Sequence, residues 1–143
     1  MLGVMLLVTW LRSICGDTFV VQEGAIDLRP EDNATSQPEP DAIVLNRSFL
    51  DLSSHALPDE LRLVAEVSST TLAFDMTTKA RLYARAGIPE YWVLDLEGRR
   101  MLVHRGPFEN AYRSVTAHGE HHRIAALAAP AHEVRVGELL GKR

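Results

Sequence analysis

The fold is constrained most by the apolar segment 61–67, Leu-Arg-Leu-Val-Ala-Glu-Val. Its apolar density predicts a strand that is covered on both faces, and such strands lie in the middle of layered sheets. Within the segment, Glu66 is a carboxylate that is costly to bury unless it is paired, hydrogen-bonded or bound to a metal. Because side chains alternate along a strand, Glu66 and Ser68 should point to the face opposite Val67. The chain must therefore cover this strand on both sides and provide Glu66 with a partner.

Other short apolar runs predict the strands that accompany this one: 18–21, 42–45, 91–94 and 101–104. A helix is predicted from Phe74 to Ala86, because apolar residues recur there at helical spacing and Gly87 follows. Loops are predicted at 30–40 and 53–60, and a short-turn hairpin at 95–99. With 143 residues, the chain is expected to be a single α/β (α+β) domain, 1–143, with a mixed central sheet flanked by helices. Tyr91 and Trp92 are expected in its core.

The first fifteen residues are almost uncharged, with Arg12 as the one ionised side chain. This run is shorter than the roughly 20 apolar residues that a membrane-spanning helix needs. Its start, Met1-Leu2-Gly3, also lacks the basic leader of a signal peptide. We therefore predict a buried core helix that ends near Gly16, and no membrane association.

Cysteine and histidine usage argues against a zinc site. Cys15 is the only cysteine, which favours a reducing, cytoplasmic setting and excludes a zinc site of the multi-cysteine type. Four histidines occur near one another in the sequence: His118, His121, His122 and His132. Their segment has the composition of a polar loop and lacks the helical spacing of a zinc protease motif, so no zinc is predicted.

The net charge of −4 conceals an asymmetry along the chain. Residues 1–78 carry 4 Lys/Arg and 12 Asp/Glu, whereas residues 79–123 carry 8 Lys/Arg and 5 Asp/Glu. Overall acidity therefore does not exclude a nucleic-acid partner, because a basic stretch can lie beside an acidic one. Five arginines are candidate phosphate contacts: Arg81, Arg85, Arg99, Arg100 and Arg105. An equally good explanation is that they belong to a helix face and a hairpin that are simply solvated.

Asp41 occupies a position similar to that of Glu66. It follows Pro40 and immediately precedes the apolar run 42–45, which places a carboxylate at the mouth of a second buried strand. Two carboxylates at the ends of adjacent core strands form a hard-oxygen pair that suits Mg²⁺ or Mn²⁺. The simpler alternative, favoured by these two residues alone, is that Glu66 pairs with an arginine and Asp41 caps a turn.

Asp75, Lys79 and Tyr83 lie at i, i+4 and i+8, so they share one stripe of the predicted helix. One interpretation is an exposed Asp–Lys pair beside a core tyrosine. The other is that the helix packs back across its strand and brings Lys79 to the face of Glu66. There the ammonium could orient a nucleophile or stabilise negative charge.

A family resemblance is carried by four parts of the sequence: 40–44 (Pro-Asp-Ala-Ile-Val), 64–70 (Val-Ala-Glu-Val-Ser-Ser-Thr), the stripe just described, and 87–95 (Gly-Ile-Pro-Glu-Tyr-Trp-Val-Leu-Asp). Over roughly residues 18 to 140 the chain resembles the putative restriction endonuclease family of PD-(D/E)XK nuclease-like proteins, which is common in cyanobacteria. The resemblance implies a restriction-endonuclease-like fold. It also implies Mg²⁺-dependent hydrolysis of phosphodiester bonds in DNA.

The resemblance also implies roles for individual residues. Asp41 matches the aspartate of the PD element and Glu66 the acidic residue of the (D/E)XK element, so both would bind the metal, with the main-chain carbonyl of Val67 as a further ligand. Ser68 stands where many of these nucleases hold their lysine, and Lys79 matches a lysine displaced to the next helix. Asp75 would orient Lys79, and Tyr83 would donate a hydrogen bond within the site. Apart from the resemblance, Arg81 and Arg85 are predicted from their charge to contact DNA.

The sequence departs from the family pattern at its start. Family members begin with a helix bearing Tyr-Glu-Leu and a hairpin bearing Asp-Gly-Glu, and neither precedes Leu2. The chain is thus expected to be an N-terminally shortened nuclease domain with an uncovered sheet edge, which would favour a homodimer. Two alternatives remain: a catalytically inactive relative that binds DNA or a protein partner, and a chain that does not fold alone.

Overall fold

The computed structural model describes residues 2–28 and 38–142, so most of the predicted loop 30–40 lies outside the described residues. The helices are α1 (Leu2–Cys15), α2 (Leu72–Phe74), α3 (Ala80–Arg85) and α4 (Val136–Leu140). The strands are β1 (Val20–Gln22), β2 (Ala42–Leu45), β3 (Leu61–Ser68), β4 (Glu90–Asp95), β5 (Arg100–Phe108), β6 (Ala111–Gly119), β7 (Arg123–Ile124) and β8 (Val134–Arg135).

Strands β1 to β6 form one mixed sheet whose spatial order follows the sequence. The pair β3–β4 is parallel, and the other neighbouring pairs are antiparallel. Parallel strands need a crossover connection, and the segment that contains α2 and α3 provides it. Because β3 and β4 lie in the middle of the sheet, nearly every one of their residues is buried. The predicted mixed sheet flanked by helices is confirmed.

Alternation along β3 divides the core into two layers. On one face, Val67 packs with Leu11 of α1 and with residues of α4. On the other face, Val64 packs with Tyr83 of α3. Glu66 has the same parity as Val64, so its side chain points toward α3. The helix that follows β3 in the sequence therefore covers the carboxylate.

The N-terminal segment forms the predicted core helix. α1 buries Val4, Leu7, Val8 and Leu11 and ends at Cys15. Gly16 follows with φ of 106°, a backbone conformation that favours glycine, so the chain can turn there toward β1. In the described ranges, no helix combines the length and apolar character needed to cross a membrane.

The predicted helix 74–86 forms with one irregularity. It begins earlier, at Leu72, and the turn Asp75–Lys79 between α2 and α3 is π-helical. The helix ends at Arg85, before Gly87, whose φ is 76°. Single π-helical turns recur at functional sites, and this one carries both Asp75 and Lys79.

Two parts of the sheet differ from the prediction. Residues 17–19 form a 3₁₀ turn, so the first strand begins only at Val20. The strand β6 was not predicted, because most of its side chains are exposed and its apolar residues do not alternate cleanly. Tyr91 and Trp92 are fully buried, as predicted.

Candidate active site

The antiparallel pairing of β2 with β3 places the two predicted metal-binding carboxylates side by side. Ala42 lies opposite Ala65, so Asp41, just before β2, reaches the end of β3. The backbone N–H of Asp41 donates to Glu66 Oε1 at 3.3 Å, and the N–H of Val67 donates to Asp41 Oδ2 at 2.7 Å. Asp41 is half-buried and Glu66 is 4% exposed. Asp41 thus bonds the backbone of β3 rather than capping a turn.

Lys79 is the charged partner of Glu66. Its Nζ lies 2.7 Å from Glu66 Oε2 and 3.4 Å from Asp75 Oδ1. The Tyr83 hydroxyl donates to the same Glu66 oxygen at 3.4 Å. The helical stripe therefore faces the buried carboxylate, and the partner of Glu66 is a lysine rather than an arginine.

The pKa values in this cluster follow from burial and from the close charges. Burial raises the pKa of the Glu66 carboxyl above its usual value; the hydrogen bond and charge of Lys79 oppose this, while Asp41 and Asp75 add to it. Partial burial acts to lower the pKa of Lys79, but its contacts with Glu66 and Asp75 raise it overall. Burial and the charge of Glu66 raise the pKa of the Tyr83 hydroxyl. At neutral pH, Lys79 is an ammonium ion and Tyr83 is a neutral phenol.

Two buried polar atoms near this cluster have no hydrogen-bond partner among the described residues: Ser68 Oγ and Asp75 Oδ1. Ser68 is 1% exposed and shares the face of Glu66 on β3. Its hydroxyl cannot replace the ammonium of the usual nuclease lysine, because it carries no charge. The other oxygen of Asp75 accepts a hydrogen bond from Thr71 Oγ1 at 2.9 Å.

The donor set fits a hard divalent cation. Asp41 and Glu66 offer carboxylate oxygens, and the carbonyl of Val67 lies on the same strand edge as its N–H, which faces Asp41. Mg²⁺ is commonly held by one or two carboxylates, with waters and substrate phosphate completing its coordination. In residues 2–28 and 38–142, no group of three or more His, Cys, Asp or Glu side chains could hold a metal. Within those ranges, the histidines near residue 120 therefore form no such cluster.

The arginines predicted to contact phosphate fall into two groups. Three of them form ion pairs within the fold: Arg99 with Glu120, Arg100 with Asp95, and Arg105 with Glu90. Arg81 and Arg85 are exposed on α3, the helix that follows Lys79. Because they follow Lys79 by two and six residues, they lie on the side of the helix away from the stripe that faces Glu66.

Sequence reasoning missed the support around Asp75. Thr71 holds one oxygen of its carboxylate, and the Tyr91 hydroxyl donates to its backbone carbonyl at 3.0 Å. The i, i+4 spacing of Thr71 and Asp75 was visible in the sequence and could have indicated the first contact. The Tyr91 contact depends on how the helix packs on β4, which the sequence pattern does not reveal.

Comparison with known proteins identifies a family and a similar fold. Residues 4–136 match the sequence family described as Uma2, putative restriction endonuclease. The fold is similar to that of a solved protein from Anabaena variabilis described as a putative nuclease belonging to DUF820, with a TM-score of 0.63. That match covers 96% of this chain and 78% of the other at 14% identity, so it bears on the fold alone. No curated protein matches the sequence.

Proposed function

This chain belongs to the Uma2 family of putative restriction endonucleases, and from that premise we propose that it is a metal-dependent DNA endonuclease that hydrolyses phosphodiester bonds. The observation that carries the proposal is the cluster of Asp41, Glu66 and Lys79. Two carboxylates and an ammonium ion meet at the end of a buried strand. This is the charge pattern needed to bind a hard cation and an anionic ester together.

Asp41, Glu66 and the Val67 carbonyl would hold Mg²⁺ or Mn²⁺. When bound, such an ion polarises the phosphoryl group and promotes ionisation of water at neutral pH. Asp41 is preorganised for this role, because the N–H of Val67 fixes one of its oxygens at 2.7 Å. Glu66 is anchored in turn by the backbone of Asp41. The protein's contribution is to keep both carboxylates on neighbouring strands, where little rearrangement is needed.

Lys79 supplies the positive charge for the reaction. Its side chain is 27% exposed, so the ammonium can meet a phosphate oxygen or an attacking water while it remains on its helix. It would orient the water or offset the negative charge that develops on the phosphate. Tyr83 remains protonated and donates to Glu66, which helps to fix the carboxylate.

Arg81 and Arg85 support DNA as the substrate. Both are exposed on α3, which follows Lys79, so a duplex that extends from the carboxylates over the outer face of this helix would meet them. Contacts between arginine and phosphate are independent of base sequence and set the register of the backbone. The segment 79–123 has an excess of positive charge, in contrast to the acidic first half of the chain.

The proposal is tested by incubating purified, folded protein with supercoiled plasmid and with linear DNA in the presence of Mg²⁺ or Mn²⁺. We expect nicking or cleavage that chelation abolishes and that Asp41→Asn/Glu66→Gln removes. Asp51→Asn/Glu97→Gln is the matched control, because both of those acids are exposed. If the Asp41→Asn/Glu66→Gln variant cleaves as well as the wild type, the site assignment is wrong. Binding of DNA without cleavage would instead favour the inactive relative.

A further inference from the structure

The carboxylate of Asp75 has one satisfied oxygen and one that lacks a hydrogen bond. Thr71 Oγ1 donates to Oδ2, whereas Oδ1 is buried and accepts no hydrogen bond within the described ranges. The residue as a whole is 1% exposed. An acceptor left in this state is costly and rare in folded proteins, so it calls for a specific explanation.

Lys79 lies between this oxygen and Glu66. Its Nζ is 2.7 Å from Glu66 Oε2 and 3.4 Å from Asp75 Oδ1. Charge-assisted N–H···O bonds have lengths of roughly 2.7–2.9 Å, so the ammonium is held most closely by Glu66, and its longer contact with Asp75 Oδ1 is an ion pair that lacks hydrogen-bond alignment. A lysine has three donors on a flexible stem, and a small movement of Nζ would exchange one acceptor for the other.

We propose that Asp75 is a second acceptor for the Lys79 ammonium, and that it takes the ammonium over when a divalent cation occupies Glu66. This inference rests on the proposed function, because it requires a cation at Glu66. The cation would repel the ammonium and claim the carboxylate that now holds it. Asp75 then keeps Lys79 beside the site, and it is therefore a positioning residue.

The helix keeps this second acceptor in place. Asp75 and Lys79 are the two ends of the same π-helical turn, so their separation does not depend on the sheet. The Tyr91 hydroxyl anchors the carbonyl of Asp75 at 3.0 Å. On the solvent side, the ring of Phe74 lies 5.8 Å from Lys79 Nζ. The ammonium is thus bordered by Glu66, Asp75 and an aromatic ring. If its contact with Glu66 is lost, the carboxylate of Asp75 remains within reach.

The chain contains two lysines, Lys79 and Lys142, which makes a direct test practical. The full chain is labelled with ¹⁵N-lysine, and its side-chain ammonium signals are recorded while Mg²⁺ is added. In the wild type, the Lys79 signal should shift and remain visible, because the ammonium stays hydrogen-bonded. Lys142 is exposed, so its ammonium signal should be lost through exchange with water in every sample, which is the behaviour expected of a lysine in contact with water. In Asp75→Asn, the Lys79 signal should be visible without Mg²⁺ and disappear through exchange with water once Mg²⁺ is bound.

Control variants separate this inference from the proposed function. Thr78→Val changes an exposed threonine of the same turn, leaves Asp75 and Thr71 in place and should behave as the wild type does. If Asp75→Asn binds Mg²⁺ by calorimetry and keeps a visible Lys79 signal, the inference is wrong and the metal site stands. If the folded wild type binds no Mg²⁺, both fail. Should Asp75→Asn not fold, Glu66→Leu, which offers no oxygen acceptor, decides the question without metal: a persistent, shifted Lys79 signal supports the transfer to Asp75, and its loss overturns it.

Discussion

Replacing Lys79 with methionine should destabilise the protein in a pH-dependent manner. The substitution keeps most of the apolar stem and removes the ammonium that lies 2.7 Å from Glu66. Glu66 would retain only two long hydrogen bonds, from the backbone of Asp41 at 3.3 Å and from Tyr83 at 3.4 Å. A nearly buried carboxylate would then face the charges of Asp41 and Asp75 without a counterion.

The size of the effect follows from the burial of the pair. Breaking a buried ion pair costs roughly 3–5 kcal/mol, whereas exposed pairs contribute about 0–1 kcal/mol. Glu66 is 6% exposed and Lys79 is 27% exposed in their side chains, so we expect a loss of about 2 kcal/mol at neutral pH. For a chain of this length, that corresponds to a fall in Tm of roughly 7 °C.

The sign of the pH dependence follows from the raised pKa of Glu66. A carboxyl whose pKa is higher in the folded than in the unfolded state contributes stability below its unfolded pKa, and this contribution is lost as the pH rises through the folded value. Without Lys79 the folded pKa rises further, so more stability is lost at neutral pH. The stability gap between the wild type and Lys79→Met should therefore narrow as the pH falls toward 4.5, the usual pKa of the group.

The assay is urea or thermal unfolding of both proteins across this pH range, with Lys142→Met as the matched control on an exposed lysine. The control should lose little stability at any pH. Two results would refute the argument that the ammonium neutralises a buried Glu66. One is a stability difference between the wild type and Lys79→Met that stays constant with pH, and the other is an equal loss of stability in Lys142→Met.

Three further predictions concern the rest of the molecule. Arg105→Met should cost about 2 kcal/mol in unfolding experiments, because it leaves the fully buried Glu90 without its cation; no loss would show that the hydrogen bonds from Trp92 and Leu127 are enough to hold the carboxylate. Burial lowers the pKa of His104, so its contribution to stability should be present above pH 6.5 and disappear as the pH falls. His104→Asn should reduce the dependence of the unfolding free energy on pH below 6.5. An unchanged dependence would show that His104 is not the group responsible. Replacing Arg81 or Arg85 with alanine should weaken binding to DNA of any sequence, and each substitution should reduce the slope of log affinity against log salt by about 1. A variant with the same slope as the wild type would show that the replaced arginine does not contact a phosphate.

Much of the fold was accessible from the sequence because the strongest patterns coincide with the most buried elements. The apolar run 61–67 became the central strand β3, and the uncharged N-terminal segment became the core helix α1. Elements with weaker burial were harder to predict. Strand β6 lies at the sheet edge with most side chains exposed, so hydrophobic alternation could not reveal it.

The candidate site shows a similar division between local pattern and tertiary contact. The spacing of Asp75, Lys79 and Tyr83 placed them on one helical stripe, and packing of that helix brings the stripe to Glu66. The π-helical turn and the unsatisfied oxygen of Asp75 depend on how the helix meets the sheet. Such features arise from tertiary packing, which overrides local periodicity. Homodimerisation remains a prediction from the sequence.

The most direct test of the account is calorimetric titration of Mg²⁺ and Mn²⁺ into the folded wild type and into Asp41→Asn/Glu66→Gln. We expect the wild type to bind the cation through Asp41 and Glu66, and the double variant to lose this binding while still unfolding cooperatively. Absence of binding to the folded wild type, or undiminished binding to the folded variant, would contradict the claim that Asp41 and Glu66 form a metal site.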